Sequence, residues 1–170
     1  MKKVEHGKTF DRNAANPPAF EIFHNTVTEG YPEHWHTAIE IIMPTRGEYE
    51  VVVGKDSYNL KEGDIIMINS GVVHGMRFVS QGERIVMLVE PGCVENQEEM
   101  ETIFLRLPAI YFKKEDEEDP FYLFLRSQIL ELVREYDNEG AVMTHRICTG
   151  LKELFSEFGR KGFSDANAQN

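Results

Sequence analysis

The chain has 170 residues, 41% of them hydrophobic, and a net charge of −11 at pH 7, which fits one domain with a modest appendage. Its acidity disfavours DNA binding by this chain alone, because negative side chains repel phosphates. Apolar stretches such as Ile65–Ile68 are too short to span a bilayer, and the N-terminus lacks the apolar core of a secretory signal. The two cysteines, Cys93 and Cys148, have no partner spacing, so we expect a reducing, cytoplasmic location without membrane association.

Short strands are predicted through the first half of the chain. Residues 19–90 alternate short runs of Val, Ile, Phe and Tyr with turn-forming sequences such as Lys61–Asp64 and Asn69–Gly71. Many short strands between closely spaced turns are typical of an all-β barrel or sandwich. The predicted strands are Ala19–Val27, Trp35–Met43, Tyr49–Val53, Ser57–Leu60, Asp64–Ile68, His74–Val79 and Arg84–Val89.

The second half of the chain predicts a helical hairpin behind an acidic connector. The connector covers 93–119 and holds a candidate short strand, Ala109–Phe112. Asp119 and Pro120 form a helix start signal, with Asp as N-cap and Pro at the first helical position. Apolar residues at helical spacing then predict two helices, separated near Gly140 and ending near Gly159. The stripes are Tyr122, Leu125, Ile129, Leu132, Val133 and Tyr136, then Ile147, Leu151, Leu154, Phe155 and Phe158.

These elements predict a mainly β fold followed by an α-helical hairpin. We assign 1–92 to a β-barrel, 93–119 to the acidic connector and 120–160 to the hairpin. We assign 161–170 to a polar tail or the start of a linker.

The segment His-Trp-His-Thr-Ala-Ile-Glu, 34–40, is the strongest functional signal. Alternate residues of a strand share a face, so a regular strand would point His34, His36 and Glu40 the same way. Two imidazoles and a carboxylate on one face suit a divalent transition metal. His74, which opens a later predicted strand, is the natural fourth ligand. Trp35 has the opposite parity and is expected to pack under the N-terminal segment or a helix.

With these residues the sequence resembles the cupin superfamily, which is marked by two motifs. The first appears as His34-x-His36-x3-Glu40-x6-Gly47, and the second as Gly63-x5-Asn69-x-Gly71-x2-His74-x3-Phe78. The four positions that hold metal in the family are all filled. Three positions depart from the family pattern: Gly30 lies two residues too close to His34, Asn69 replaces a proline, and Phe78 replaces an asparagine.

The resemblance implies a double-stranded β-helix, or jelly-roll, barrel with a ligand pocket inside. A metal of unknown identity (Zn, Ni, Mn, Fe or Cu) is expected on the four motif residues, although barrels of this family also keep them as polar pocket groups. Met76 and Phe78 share parity with His74, so either they line the same cavity or they are ordinary core. The predicted ligand-binding residues are His34, His36, Glu40, His74, Met76 and Phe78.

The order of barrel and helices is similar to the N-terminal ligand-binding and dimerisation domain of AraC-type transcription regulators. The resemblance implies that the barrel senses a small polar effector, plausibly a sugar, and that the helices form a homodimer. DNA would be bound only by a helix-turn-helix domain that is missing from this chain, so either the chain is a truncated piece or it stands alone. The dimer is expected through the exposed stripe of Tyr122, Leu125, Ile129, Leu132, Leu151, Leu154 and Phe158, some of which must also pack on the barrel.

Two other functions remain open. The four motif residues His34, His36, Glu40 and His74, which we call the quartet, also suit a stand-alone metal-dependent cupin enzyme. Such an enzyme, for example a dioxygenase or an isomerase, has open metal positions for substrate. No separate general base is evident in the sequence, so no catalytic residue is assigned. A purely structural dimerisation module would require side chains to close the pocket.

Overall fold

The fold is a two-sheet β structure with two helices packed on one side. The computed structural model describes residues 19–27, 30–93, 107–116, 118–138 and 140–161. Its strands are β1 (Phe20–Val27), β2 (Tyr31–His34), β3 (Ile39–Arg46), β4 (Tyr49–Val53), β5 (Asp56–Leu60), β6 (Ile65–Ile68), β7 (His74–Phe78), β8 (Gly82–Val89) and β9 (Ala109–Phe112).

The strands pair into two antiparallel sheets that face each other. One has the order β1-β8-β3-β6-β9 and the other has the order β2-β7-β4-β5. Buried residues from both sheets, among them Ile42, Val51 and Val86, form one apolar cluster between them. We call this space the barrel interior. The mainly β barrel predicted from the sequence is therefore confirmed, including the short strand over Ala109–Phe112.

The five-stranded sheet has a second buried face. Successive side chains of a strand point to opposite faces, so Ile41 and Met87 lie outside while Ile42 and Val86 lie inside. The outer face packs against helices α1 (Pro120–Asp137) and α2 (Met143–Lys161). Every strand of this sheet can therefore contact the barrel interior with one set of residues and the helices with the other.

The helical hairpin is attached by ring contacts and a buried hydrogen bond. The Phe112 ring of β9 lies 5.9 Å from that of Phe158 in α2, centroid to centroid. The Tyr122 hydroxyl in α1 donates to the carbonyl of Gly63 at 2.8 Å. The Asp119 carboxylate accepts from the backbone N–H of Phe121, which confirms the predicted N-cap. Helix α2 continues to Lys161, so the predicted end near Gly159 was wrong by two residues.

The apolar stripe expected at a dimer interface is buried within the chain. The seven stripe residues are each at most 3% exposed and belong to the cluster between the helices and the sheet. Burial of apolar side chains stabilises the fold, and the outer wall of the barrel already supplies the partner surface. The stripe is therefore not available to a second copy, and the predicted interface residues were wrong. Whether the chain dimerises through another surface stays open.

Three further features complete the fold. The Cys93 and Cys148 sulfurs lie 3.4 Å apart, which their separation in sequence did not reveal. Neither α1 nor α2 has the length and hydropathy needed to cross a membrane, and no other described helix does. Residues 94–106 of the predicted connector and 162–170 of the tail lie outside the described residues, as do 1–18 of the predicted barrel.

Docking of the hairpin on the sheet predicts unequal effects for two neighbouring leucines of α1. Leu125 is fully buried, so Leu125→Ala should cost about 2–5 kcal/mol of unfolding free energy in a urea titration. Leu123 is 50% exposed, so the matched Leu123→Ala should change it by less than about 0.5 kcal/mol. Equal, small effects would contradict the docked arrangement.

Candidate metal and ligand site

The quartet is assembled from both sheets. His34 is the last residue of β2 and pairs with His74, the first residue of β7, in the four-stranded sheet. Glu40 is the second residue of β3 in the five-stranded sheet. His36 lies between β2 and β3, outside either strand. The site therefore lies where the two sheets meet at one end of the barrel.

The segment 34–40 was wrongly predicted as one regular strand. It is a strand end, a bend at Thr37 and Ala38, and the start of the next strand. The donors still converge, because the bend turns the chain from one sheet to the other. The exposed side of this bend carries Trp35, which is 54% exposed, so the expectation that it packs under a helix was wrong. The other expectation, that it packs under the N-terminal segment, concerns residues 1–18, which lie outside the described residues.

The four side chains lie close together. One donor atom from each of His34, His36, Glu40 and His74 lies within 4.8 Å of all the others. The rings of His34 and His74 are 4.5 Å apart, and those of His36 and His74 are 4.9 Å apart. His36, Glu40 and His74 are buried, whereas His34 is half-buried at the rim. The structure thus brings together all four residues of the predicted ligand set.

Backbone carbonyls fix the orientation of the three imidazoles. The Nδ1 atoms of His34, His36 and His74 lie 3.0, 2.9 and 2.8 Å from the carbonyl oxygens of Pro32, Ala38 and Val72, respectively. A carbonyl only accepts, so each Nδ1 carries the proton. In the neutral ring, Nε2 then presents a lone pair toward the centre of the site. This outer hydrogen bond is the arrangement usual for histidines that bind metals.

The Nε2 atoms of His36 and His74 converge on a single carboxylate oxygen. Glu40 Oε2 lies 2.9 Å from Nε2 of both His36 and His74. Without a metal, hydrogen bonds at both distances require Nε2 protons as well, which makes two buried neighbouring imidazolium ions. A shared divalent cation removes this conflict, because donors bound to one ion at about 2.1 Å are themselves roughly 3 Å apart. The donor set is therefore compatible with a divalent metal.

The electrostatics of the site keep Glu40 ionised. Burial alone would raise the pKa of this carboxyl, but hydrogen bonds from His36 and His74, with their charges, outweigh burial and lower it to about 2. Burial is also the main reason why the pKa of His34 lies below its ordinary value. A carboxylate and a neutral imidazole are the protonation states that bind a metal.

The turn before β7 holds His36 in place. Gly71 adopts a φ of +73°, a conformation that favours glycine, and its N–H donates to the carbonyl of His36 at 2.8 Å. Asn69, at the family's proline position, accepts from the N–H of Ser70 through its side chain at 2.7 Å. The turn thus positions both His36 and His74 without the proline.

The remaining predicted ligand-binding residues differ in outcome. Met76 is buried in the barrel interior, two residues beyond His74 on the same face. The side chain of Phe78 lies outside the described residues. Sequence reasoning missed Arg84 of β8, which is only 2% exposed and donates from Nη1 to Met76 Sδ. The only available signal was that Arg84 alternates with Val86 and Leu88, which also face the interior.

Comparison with known proteins identifies the barrel. Residues 25–90 match the family model described as "Cupin domain" (Cupin_2), and this segment contains the whole quartet. This match agrees with the resemblance of the sequence motifs to the cupin superfamily. A search of curated protein sequences found no match.

Solved structures are similar to this chain at low sequence identity, and one of them, with a TM-score above 0.5, shows the same fold. A mutant of apo ToxT from Vibrio cholerae is similar with a TM-score of 0.55 and 12% identity, over 86% of this chain and 58% of that one. A cupin-2 domain containing protein from Shewanella frigidimarina has a TM-score of 0.40 and 16% identity, over 45% and 76% of the two chains. A mutant of Bacillus subtilis oxalate decarboxylase has a TM-score of 0.39 and 18% identity, over 42% of this chain and 21% of that one.

Acid should destabilise the metal-free protein through Glu40. Its pKa is lowered from 4.5 to about 2, so its contribution is complete above pH 4.5 and lost as the pH falls toward 2. The full contribution is on the order of 3 kcal/mol. His34 acts in the same direction below pH 6.5, because its lowered pKa means that the unfolded chain binds the proton more readily.

Urea unfolding in the presence of a chelator, from neutral pH down to about pH 3, measures this loss. The Glu40→Gln variant should have a clearly flatter profile over the lower part of that range. Equal acid sensitivity in the two proteins would contradict the role assigned to the carboxylate.

Proposed function

We propose that this chain is the effector-sensing, dimerising cupin domain of an AraC-type transcription regulator. A small polar molecule, such as a sugar, would bind in the barrel. The observation that carries the proposal is the five-stranded sheet, which separates the pocket from the helical hairpin. In β3, Glu40 belongs to the site, while its neighbours Ile39 and Ile41 pack toward the helices. A ligand that shifts this strand therefore changes the surface on which the helices lie.

The similarity to ToxT supports the proposal at the level of fold. ToxT is an AraC-like regulator, and the similarity extends over 86% of this chain, well beyond the cupin segment. This chain spans 58% of the ToxT chain. DNA binding would belong to a helix-turn-helix domain outside these 170 residues, and such a regulator acts in the cytoplasm. The acidic net charge of −11 is in keeping with that division of roles.

We further propose that His34, His36, Glu40 and His74 hold one divalent transition metal. Bound there, the ion would supply Lewis acidity that orients an oxygen atom of the effector. The chain's own contribution is the fixed tautomer of each histidine and the buried, ionised carboxylate. Zn, Ni, Mn, Fe and Cu all accept such a donor set, so the structure does not favour one of them.

Metal binding should depend on the buried histidines. Protein purified without a polyhistidine tag should bind close to one equivalent of a divalent metal after reconstitution. Loss of a direct ligand in His36→Ala or His74→Ala should weaken binding by more than the roughly 10–100-fold typical of outer-shell changes. His145→Ala, on the exposed surface of α2, is the matched control and should bind normally. Elemental analysis and calorimetry give the readout, and equal binding by all variants would exclude this site.

Dimerisation is proposed through the outer side of the helical hairpin, since the inner stripe is buried. Leu123 of α1 is a large apolar residue that is 50% exposed on this side. Leu123→Asp should therefore shift the protein from dimer to monomer in sizing experiments at micromolar concentration, while its far-UV circular dichroism stays that of the folded chain. Arg134→Asp, at an exposed position of the same helix, separates this effect from that of added negative charge. A wild-type monomer, or a dimer in both variants, would contradict this interface.

Effector binding should reach the helices. A thermal-shift screen with sugars and divalent metals should find compounds that raise the melting temperature, because such ligands bind the folded state. For a sensor, the same compound should alter hydrogen exchange in α1 and α2 while remaining chemically unchanged. A ligand-induced change in hydrogen exchange that is restricted to the barrel would contradict the proposed coupling.

The alternative function is a stand-alone metal-dependent cupin enzyme, a dioxygenase or an isomerase, and the quartet itself favours it. Four protein donors leave positions open on an octahedral ion for a substrate. Apart from Glu40, Asp64 is the one carboxylate buried among the described residues. It already accepts from the N–H groups of Lys61 and Lys114 and from the Tyr111 hydroxyl, so it is not free as a general base. Metal-dependent consumption of a bound compound would favour the enzyme.

A further inference from the structure

Arg84 is a cation buried inside the barrel. It is 2% exposed and lies on the inner face of β8, on the same side as Val86 and Leu88. Its guanidinium lies over the ring of Tyr49, 5.1 Å from the ring centroid, and Nη1 donates to Met76 Sδ. A thioether is a weak acceptor, and an aromatic ring is only a partial substitute for an anion. Burying a guanidinium in such surroundings is costly unless a negative charge accompanies it.

Two polar atoms in this region have no hydrogen-bond partner among the described residues. They are Arg84 Nε and the Tyr49 hydroxyl, and both are shielded from solvent. Tyr49 itself is fully buried. An unpaired buried donor costs roughly 1–3 kcal/mol of stability, and more when it is charged. Arg84 Nε and the Tyr49 hydroxyl are thus two buried polar groups whose hydrogen-bonding capacity the described residues leave unused.

Glu40 does not complete this pair. Its charge acts on Arg84 through space, but its Oε2 atom is engaged by His36 and His74 at 2.9 Å each. The other buried carboxylate of the described residues, Asp64, is saturated at the opposite edge of the sheet by Tyr111 and two backbone N–H groups. Neither buried carboxylate of the described residues therefore neutralises the guanidinium, and an anionic ligand would do so.

Strand register sets the distance between the quartet and Arg84. Some inward-facing side chains are fully inaccessible, such as those of Val51 and Ile66, but four retain a slight exposure. Leu88 pairs with Glu40 across the sheet, Arg84 lies four residues further along β8, and Met76 lies two residues beyond His74 in β7. Two residues of a strand span about 7 Å, so the distance from the quartet to Met76 suits a small molecule. The four slightly exposed residues are Glu40, Met76, Val86 and Leu88, at 7–8% each.

We propose that Arg84, with the Tyr49 hydroxyl as second donor, is the subsite for a carboxylate group of the molecule that binds in the barrel. The inference rests on the proposed function in that it assumes a barrel ligand, and it narrows the ligand class to small organic acids. The quartet receives the other end of the same molecule. A neutral sugar would leave the guanidinium unpaired.

The chemistry of the subsite favours a carboxylate over a phosphate. A guanidinium matches both groups geometrically. A phosphate, however, carries more charge and more acceptor atoms than one buried cation and one hydroxyl can satisfy. A carboxylate has a single charge, and the apolar lining of Val86 and Met76 removes less hydration from it than from a phosphate.

The test uses trifluoroacetate as a fluorine NMR probe on the metal-loaded wild-type chain, with trifluoroethanol as its uncharged match and inorganic phosphate as a competitor. Trifluoroacetate should bind and trifluoroethanol should not, and phosphate should compete poorly. Arg84→Met should weaken trifluoroacetate binding roughly 10–100-fold at unchanged metal content, and Tyr49→Phe should weaken it less. Arg77→Met, which removes a surface arginine paired with Glu50, should bind as wild type does.

Thermal melting of the unliganded proteins gives a second, independent readout. A buried cation kept for a ligand destabilises the empty protein, so Arg84→Met should melt at the same or a higher temperature. A lower melting temperature would mean that Arg84 is paired within the fold and would overturn the proposal. The proposal would also be overturned if the wild-type protein did not bind trifluoroacetate, or if Arg84→Met bound it as tightly as the wild type does. If sugars or metals still bind in those cases, the sensing function stands without this subsite, whereas loss of all binding removes both.

Discussion

The shared carboxylate of Glu40 is the interaction on which the rest of the site depends. Glu40 belongs to the five-stranded sheet and His74 to the four-stranded sheet, and their 2.9 Å contact joins the two at one end of the barrel. His36 reaches the same oxygen from the bend between β2 and β3. Because each imidazole is also anchored through Nδ1 to a backbone carbonyl, the donors are held before any ligand arrives.

The five-stranded sheet lies between the preorganised site and the helices. β3 and β8 alternate between residues that line the interior and residues that support the helices. Close packing makes such a layer resist gradual deformation, so a ligand that moves an inner side chain must also shift its outer neighbours. Under the proposed sensing function, the helical stripe that is buried on this layer would move with it, because it packs directly on the sheet.

The sequence predicted the strands and helices more accurately than it predicted which residues contact one another. Turn residues and alternating apolar runs were enough for the barrel, and Asp119-Pro120 was enough for the start of the first helix. The quartet was found from spacing, although the strand argument for it was wrong, because a bend and a long-range turn bring the donors together. Arg84 was missed because it follows Glu83, which makes the pair look like a solvated edge. Its burial and its contacts with Tyr49 and Met76 show that Arg84 faces inward. The contact between Cys93 and Cys148 depends equally on tertiary packing.

The charges of the interior tie the metal and Arg84 to one another. Among the described buried groups that face the site, Glu40 contributes one negative charge and Arg84 one positive charge, and histidines that bind a metal do so as neutral rings. A divalent ion would make this space strongly cationic, and low-dielectric surroundings would increase the cost of leaving it so. An anionic ligand that reaches both the metal site and Arg84 would lower that cost, whereas a neutral ligand would not. The acidic outer surface opposes this only weakly, since salt screens its field within about 8 Å. The barrel interior is therefore better matched to an organic acid than to the neutral sugar that the family resemblance suggested.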